Sequence, residues 1–167
     1  MSASVLWRIP FMLVLLGVAG LGIGSYLTVA HWGDQPIACG GVGDCGYVNS
    51  SEYASVGGVP VSGLGVTLYG AMTVAAIAWL RYRQVDWIPI AYWGLALAGA
   101  GYAAYLTYVE LWVLNAICVW CVTSAVLLAL SLALGSIALF VEPVDEDDEA
   151  VLPSKDGLKI GAAPDLR

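Results

Sequence analysis

Four runs of about twenty mostly apolar residues, 7–30, 61–80, 87–108 and 115–141, constrain this chain more than any other feature. A helix needs about 20 residues to cross the hydrocarbon core of a bilayer, and only a helix or a closed barrel satisfies its backbone there. Charged residues make up 11% of the 167 and hydrophobic residues 60%, whereas a soluble domain carries roughly 25% charged residues. The pattern predicts an all-α integral membrane protein with four spans in one domain, residues 1–141, and no room for a separate soluble domain. The first run exceeds the roughly 7–15 apolar residues of a cleaved signal peptide, so it is read as a retained span.

The net charge of -7 is mostly a property of the end of the chain. Residues 142–167 hold eight acidic and three basic residues, a composition expected of a solvated, disordered tail. No phosphate-binding glycine motif is present, and no nucleic-acid partner is expected; lipid is the expected surrounding. Lys and Arg in short loops mark the cytoplasmic side. Arg8 precedes the first run, and Arg81 and Arg83 lie between the second and third. The 31–60 loop and the 109–114 turn contain neither Lys nor Arg. Both termini are therefore expected in the cytoplasm, with the 31–60 loop and the start of the fourth run outside. Gly20-x-x-x-Gly24 and the stripe Ala96, Ala100, Ala104 read as close helix packing.

This orientation puts all four cysteines on the side where disulfides persist. Cys118 and Cys121 form a C-x-x-C pair, two thiols one helical turn apart. Asn115 is expected to cap the fourth helix, which would put Cys118 at about its third position. There the helix dipole favours the thiolate, and Cys121, one turn deeper, suits contact with a membrane-dissolved oxidant such as a quinone. Cys39 and Cys45 are joined by Gly40-Gly41-Val42-Gly43-Asp44, a loop free enough to shuttle between an outside protein and Cys118. Two structural disulfides are the rival reading, although a bridge within one helix staples little. No metal is expected: a four-cysteine zinc site lacks a second C-x-x-C, and His31 is the lone histidine. His31 reads as an interfacial residue, with a proton relay as the alternative. Trp32, Trp87, Trp112 and Trp120 read as an aromatic belt, and Trp120 also as part of a redox pocket. Asp44 reads as a turn residue that opposes ionisation of Cys45, and Glu110 as a solvated interfacial acid.

The Cys39-x5-Cys45 loop, Val48-Asn49-Ser50-Ser51, Gly58-Val59-Pro60-Val61-Ser62-Gly63-Leu64-Gly65 and Cys118-Val119-Trp120-Cys121 resemble the vitamin K epoxide reductase family. Specifically, they resemble a bacterial homologue without a fused thioredoxin-like domain, over about residues 10–140. The resemblance implies a four-helix bundle in the inner (plasma) membrane around a quinone, its outer mouth capped by the loop and a short helix. It implies Cys118 and Cys121 as the active-site pair, Cys121 next to the quinone, with Cys39 and Cys45 as the shuttle. Ser51 would support the loop and quinone site, with Ser50 adjacent. Ala125 stands where the animal enzymes have a tyrosine, so ubiquinone or menaquinone is the implied acceptor. The implied activity is a thiol:quinone oxidoreductase that re-oxidises a separate, extracytoplasmic thioredoxin-fold partner. A non-enzymatic scaffold with structural disulfides is the alternative. A transporter ranks last, because the spans offer few ionisable groups for ion coupling.

Overall fold

The computed structural model describes residues 3–33, 36–41, 43–82 and 85–140, with side chains from residue 8 onward. Arg83 and the acidic tail lie outside the described residues. The chain forms α1 (Ala3–Trp32), α2 (Cys45–Ser50), a 3-10 turn (Glu52–Ala54), β1 (Ser55–Val56) and β2 (Val59–Pro60). It continues with α3 (Val61–Arg81), α4 (Trp87–Tyr108), a π-helical turn (Val109–Leu114) and α5 (Val119–Phe140). The protein is thus an all-α membrane protein in which α1, α3 and α5 are long and apolar enough to cross a bilayer. The 22 residues of α4 carry no charge. Six of them are Trp or Tyr, apolar rings that each carry one polar tip.

Small residues decide how the helices meet. A Cβ on Gly20 would enter the Tyr69 ring, one on Gly17 would strike the Thr73 hydroxyl, and one on Gly24 would press on Val66. These contacts fall in reverse order along α1 and α3, so the two helices run antiparallel with their backbones close. Arg8 and Arg81, both exposed, therefore share the end of the bundle remote from the cysteines. Between α4 and α5, Gly99 leaves room for Leu128, and the Trp93 indole N–H donates to Ser136 Oγ at 3.0 Å. The alanine stripe holds only in part: Ala96 and Ala100 face the core with Ala103, while Ala104 is exposed. A row spaced by four drifts about 80° over eight residues of a 3.6-residue helix, whereas Ala103 stays within about 20° of Ala96.

Leu13, Met72, Ala76, Tyr92, Ala96 and Leu128 fill the centre. The outer surface is apolar as well, with Phe11, Val18, Val74, Ile90 and Leu130 about half exposed or more. A bundle apolar inside and out belongs in lipid.

The connection from α1 to α3 is built on one end of the bundle. Gly57 and Gly58, with φ +59° and +83°, make the two-residue turn that pairs β1 with β2, a conformation nearly closed to other residues. At the same end α4 runs on into the wider π-turn, which stops at Asn115 in left-handed conformation (φ 48°, ψ 35°). The expected start of the fourth helix at residue 115 is corrected here. Asn115 ends the preceding turn, its N–H donating to the Glu110 carbonyl, and the last helix begins at Val119.

Candidate active site

With Asn115 spent, the N-cap of α5 falls on Cys118 itself. Its carbonyl accepts the Val122 N–H at 3.0 Å, the first bond of the helix, and its Sγ accepts the Cys121 N–H at 3.3 Å. This is the bond a capping Ser or Asp oxygen makes to the third helical amide. The fully buried sulfur therefore sits at the positive end of the helix. Hydrogen bonding from the Cys121 thiol and then from nearby amides holds the Cys118 thiol below the ordinary range, against the opposing effect of burial. Cys118 and Cys121 are free thiols.

Glu110 corrects a second expectation. It is only 4% exposed rather than solvated, because the π-turn folds its side chain inward. Its Oε2 accepts the Cys118 N–H at 3.2 Å, and its carbonyl accepts the Ala116 N–H at 3.1 Å. The carboxylate and both sulfurs lie within 4.8 Å of one another. Burial pushes the carboxyl above the usual carboxylate range. The signal for it was present in the sequence: Glu110 is the single charged residue between Trp87 and Val141, and an ionisable group alone in so apolar a stretch marks a candidate site.

The loop is docked on this structure. Cys39 and Cys45 form a disulfide, and the Cys45 N–H donates to Cys39 Sγ at 3.1 Å. Asp44 caps α2, its Oδ1 accepting the Tyr47 N–H at 3.1 Å, and its own N–H donates to the Ile117 carbonyl at 3.0 Å. Gly43, at φ +81°, makes this approach possible, since a Cβ there would collide with that carbonyl. Cys45, Val48 and Cys118 consequently share one buried cluster, with Cys39 and Cys121 packed against it. At Gly40 and Gly41, by contrast, a Cβ would meet nothing among the described residues.

Further contacts fix the loop through Trp120, His31 and Tyr26, the last of which carries no motif that marks it in the sequence. Trp120 faces the loop: its indole N–H donates to the Ala38 carbonyl at 2.9 Å. Its ring lies 5.3 Å from that of Tyr26, whose hydroxyl accepts the Ala38 N–H at 3.0 Å. His31 Nδ1–H donates to the Asn49 carbonyl at 2.8 Å, tying α1 to α2. Trp32, Trp87 and Trp112 are largely exposed, as an aromatic belt requires.

Beneath α2, the four long helices surround a cavity of about 370 Å³, within the range of small-ligand sites. Cys121 and Glu110 lie in its wall with Ser51, whose Oγ donates to the Val48 carbonyl at 2.8 Å. Ser50, its neighbour, is exposed. Across the cavity the Tyr69 hydroxyl donates to the Ser124 carbonyl at 3.0 Å. Ser62 Oγ, also in the wall, is buried without a hydrogen-bond partner among the described residues. A flat apolar ring bearing carbonyl oxygens fits these groups: apolar walls for the ring, an unpartnered hydroxyl for an oxygen, and a thiol within the same space.

The sequence profile described as the vitamin K epoxide reductase family matches residues 11–136, a span that holds every residue of this site. The chain belongs to the vitamin K epoxide reductase family, a family of membrane oxidoreductases that work through thiols.

Proposed function

We propose that the protein is a thiol:quinone oxidoreductase that re-oxidises an extracytoplasmic thioredoxin-fold partner. In this reading it lies in the inner (plasma) membrane with four spans, α4 included, and with both termini and the 142–167 tail cytoplasmic. The observation that carries the proposal is the burial of Cys45 against Cys118 while Cys121 lines the cavity.

The relay runs by thiol–disulfide exchange. A reduced partner passes its electrons to the Cys39–Cys45 disulfide, giving a loop dithiol. The Cys45 thiolate attacks Cys118 in a Cys118–Cys121 disulfide, forming a mixed disulfide and freeing Cys121. Cys39 then attacks Cys45, restoring the loop disulfide and releasing Cys118 as a thiolate at the helix N-terminus, which makes it a good leaving group. The product is the state described above, with the loop bonded and Cys118/Cys121 as a dithiol. A quinone in the cavity, ubiquinone or menaquinone, supplies the two-electron acceptor, and Cys121, Ser51 and Ser62 are the residues that would hold it. A scaffold with two static bridges fits less well, because Cys118 and Cys121 are not bonded.

The test is quinone reduction by purified protein supplied with a reduced thioredoxin-fold partner, followed by quinone absorbance. Partner-dependent loss of quinone is expected. No reduction of either quinone, with thiol trapping showing the same bonds in reducing and oxidising buffers, would favour the scaffold.

A further inference from the structure

The cavity chemistry leaves protons unaccounted for, and one buried group is placed to handle them. Oxidising the Cys118/Cys121 dithiol to a disulfide breaks two S–H bonds and releases two electrons and two protons. Converting a quinone to a quinol consumes the same two electrons and two protons. We propose that Glu110 is the proton carrier of this couple, taking the proton of Cys121 and then that of Cys118 and delivering each into the cavity. The inference rests on the quinone reading above and adds to it a residue for proton transfer. In sum, the dithiol becomes a disulfide, the quinol gains both protons, and Glu110 ends as it began.

Geometry singles out this carboxylate. It lies within 4.8 Å of both sulfurs, accepts the Cys118 N–H, and lines the cavity into which Cys121 opens. The other titratable side chains described around the cavity, Tyr53, Tyr69 and Tyr102, are phenols rather than carboxyls, and Tyr69 is bonded to Ser124. From α1, His31 is held by the Asn49 carbonyl. Among the described residues, the cations Arg8 and Arg81 sit at the opposite end of the bundle. Burial pushes the Glu110 carboxyl above the usual carboxylate range, which favours its taking up a proton.

Glu110→Gln separates proton transfer from structure, since the amide oxygen can still accept the Cys118 N–H and the main-chain bonds of Glu110 are untouched. Single-turnover oxidation of the dithiol by quinone should slow about 100-fold or more, the usual scale for losing a general acid–base. The second readout uses quinone-free, reduced protein: the rate of Cys121 alkylation by iodoacetamide against pH, read by mass spectrometry. In the unaltered protein the rate should rise in two steps, the first as Glu110 ionises and shares the Cys121 proton, the second as the thiol ionises. Glu110→Gln should lose the first step, and Glu110→Asp should keep it at a shifted pH. A Glu110→Gln protein with both steps intact and quinone oxidation within about threefold of normal would overturn the proposal. Should Glu110→Gln fail to fold, a single-step profile in the unaltered protein would overturn it equally. If the two steps are present but no quinone is ever reduced, the quinone reading fails while proton exchange between Glu110 and Cys121 stands.

Discussion

Gly43→Ala tests whether loop docking, rather than loop freedom, sets the electron relay. At φ +81° an alanine costs about 1–2 kcal/mol relative to ordinary backbone. The new Cβ would also collide with the Ile117 carbonyl, displacing the hydrogen bond it accepts from the Asp44 N–H, worth about 1 kcal/mol. The docked loop should therefore lose about 2–3 kcal/mol, or about 30- to 150-fold in its docking equilibrium. The assay places Gly43→Ala in a protein that also carries Cys39→Ser and Cys121→Ser, leaving Cys45 and Cys118 to bond to each other. The equilibrium constant of that bond against a small thiol–disulfide buffer gives the effective concentration of one sulfur at the other. It should fall by the same factor. Gly41→Ala is the control: φ is +79°, yet its Cβ meets nothing, so only the backbone cost of about 1–2 kcal/mol applies. Equal constants for the two variants would refute the docking argument.

Cys118→Ser or Cys121→Ser should abolish quinone reduction with any thiol donor, whereas Cys39→Ser or Cys45→Ser should block only turnover driven by the protein partner. Loss of small-thiol turnover in a single loop variant would show the relay order to be wrong. Trp120→Phe keeps a ring against Tyr26 but removes the bond to the Ala38 carbonyl, a loss of about 1 kcal/mol. Partner-driven turnover should fall about fivefold, and further than small-thiol turnover measured in parallel. Gly20→Ala pushes a methyl group into the Tyr69 ring, with an overpacking cost of about 1–3 kcal/mol. A lower Tm in detergent is expected, and an unchanged melt would mean that α1 and α3 do not pack as closely as described.

The sequence by itself determined the class of protein, because the length and apolarity of a span are local properties that a bilayer imposes on any chain. It also determined that Cys118 and Cys121 lie close together, since C-x-x-C spacing fixes two thiols one turn apart wherever the helix lies. The glycines at 40, 41 and 43 announced a loop able to bend, but not which of them a neighbour would press upon. Only the folded chain decided that Gly43 meets Ile117, that Cys118 rather than Asn115 caps the last helix, and that Glu110 turns inward. Each of these depends on the π-turn after α4, which shifts the register of every following residue by a fraction of a turn. No single residue in 109–114 declares such a turn. The turn joins α4 to α5, which pack along each other, and the loop is bonded over that junction at Ile117; such agreement among distant segments exists only in three dimensions.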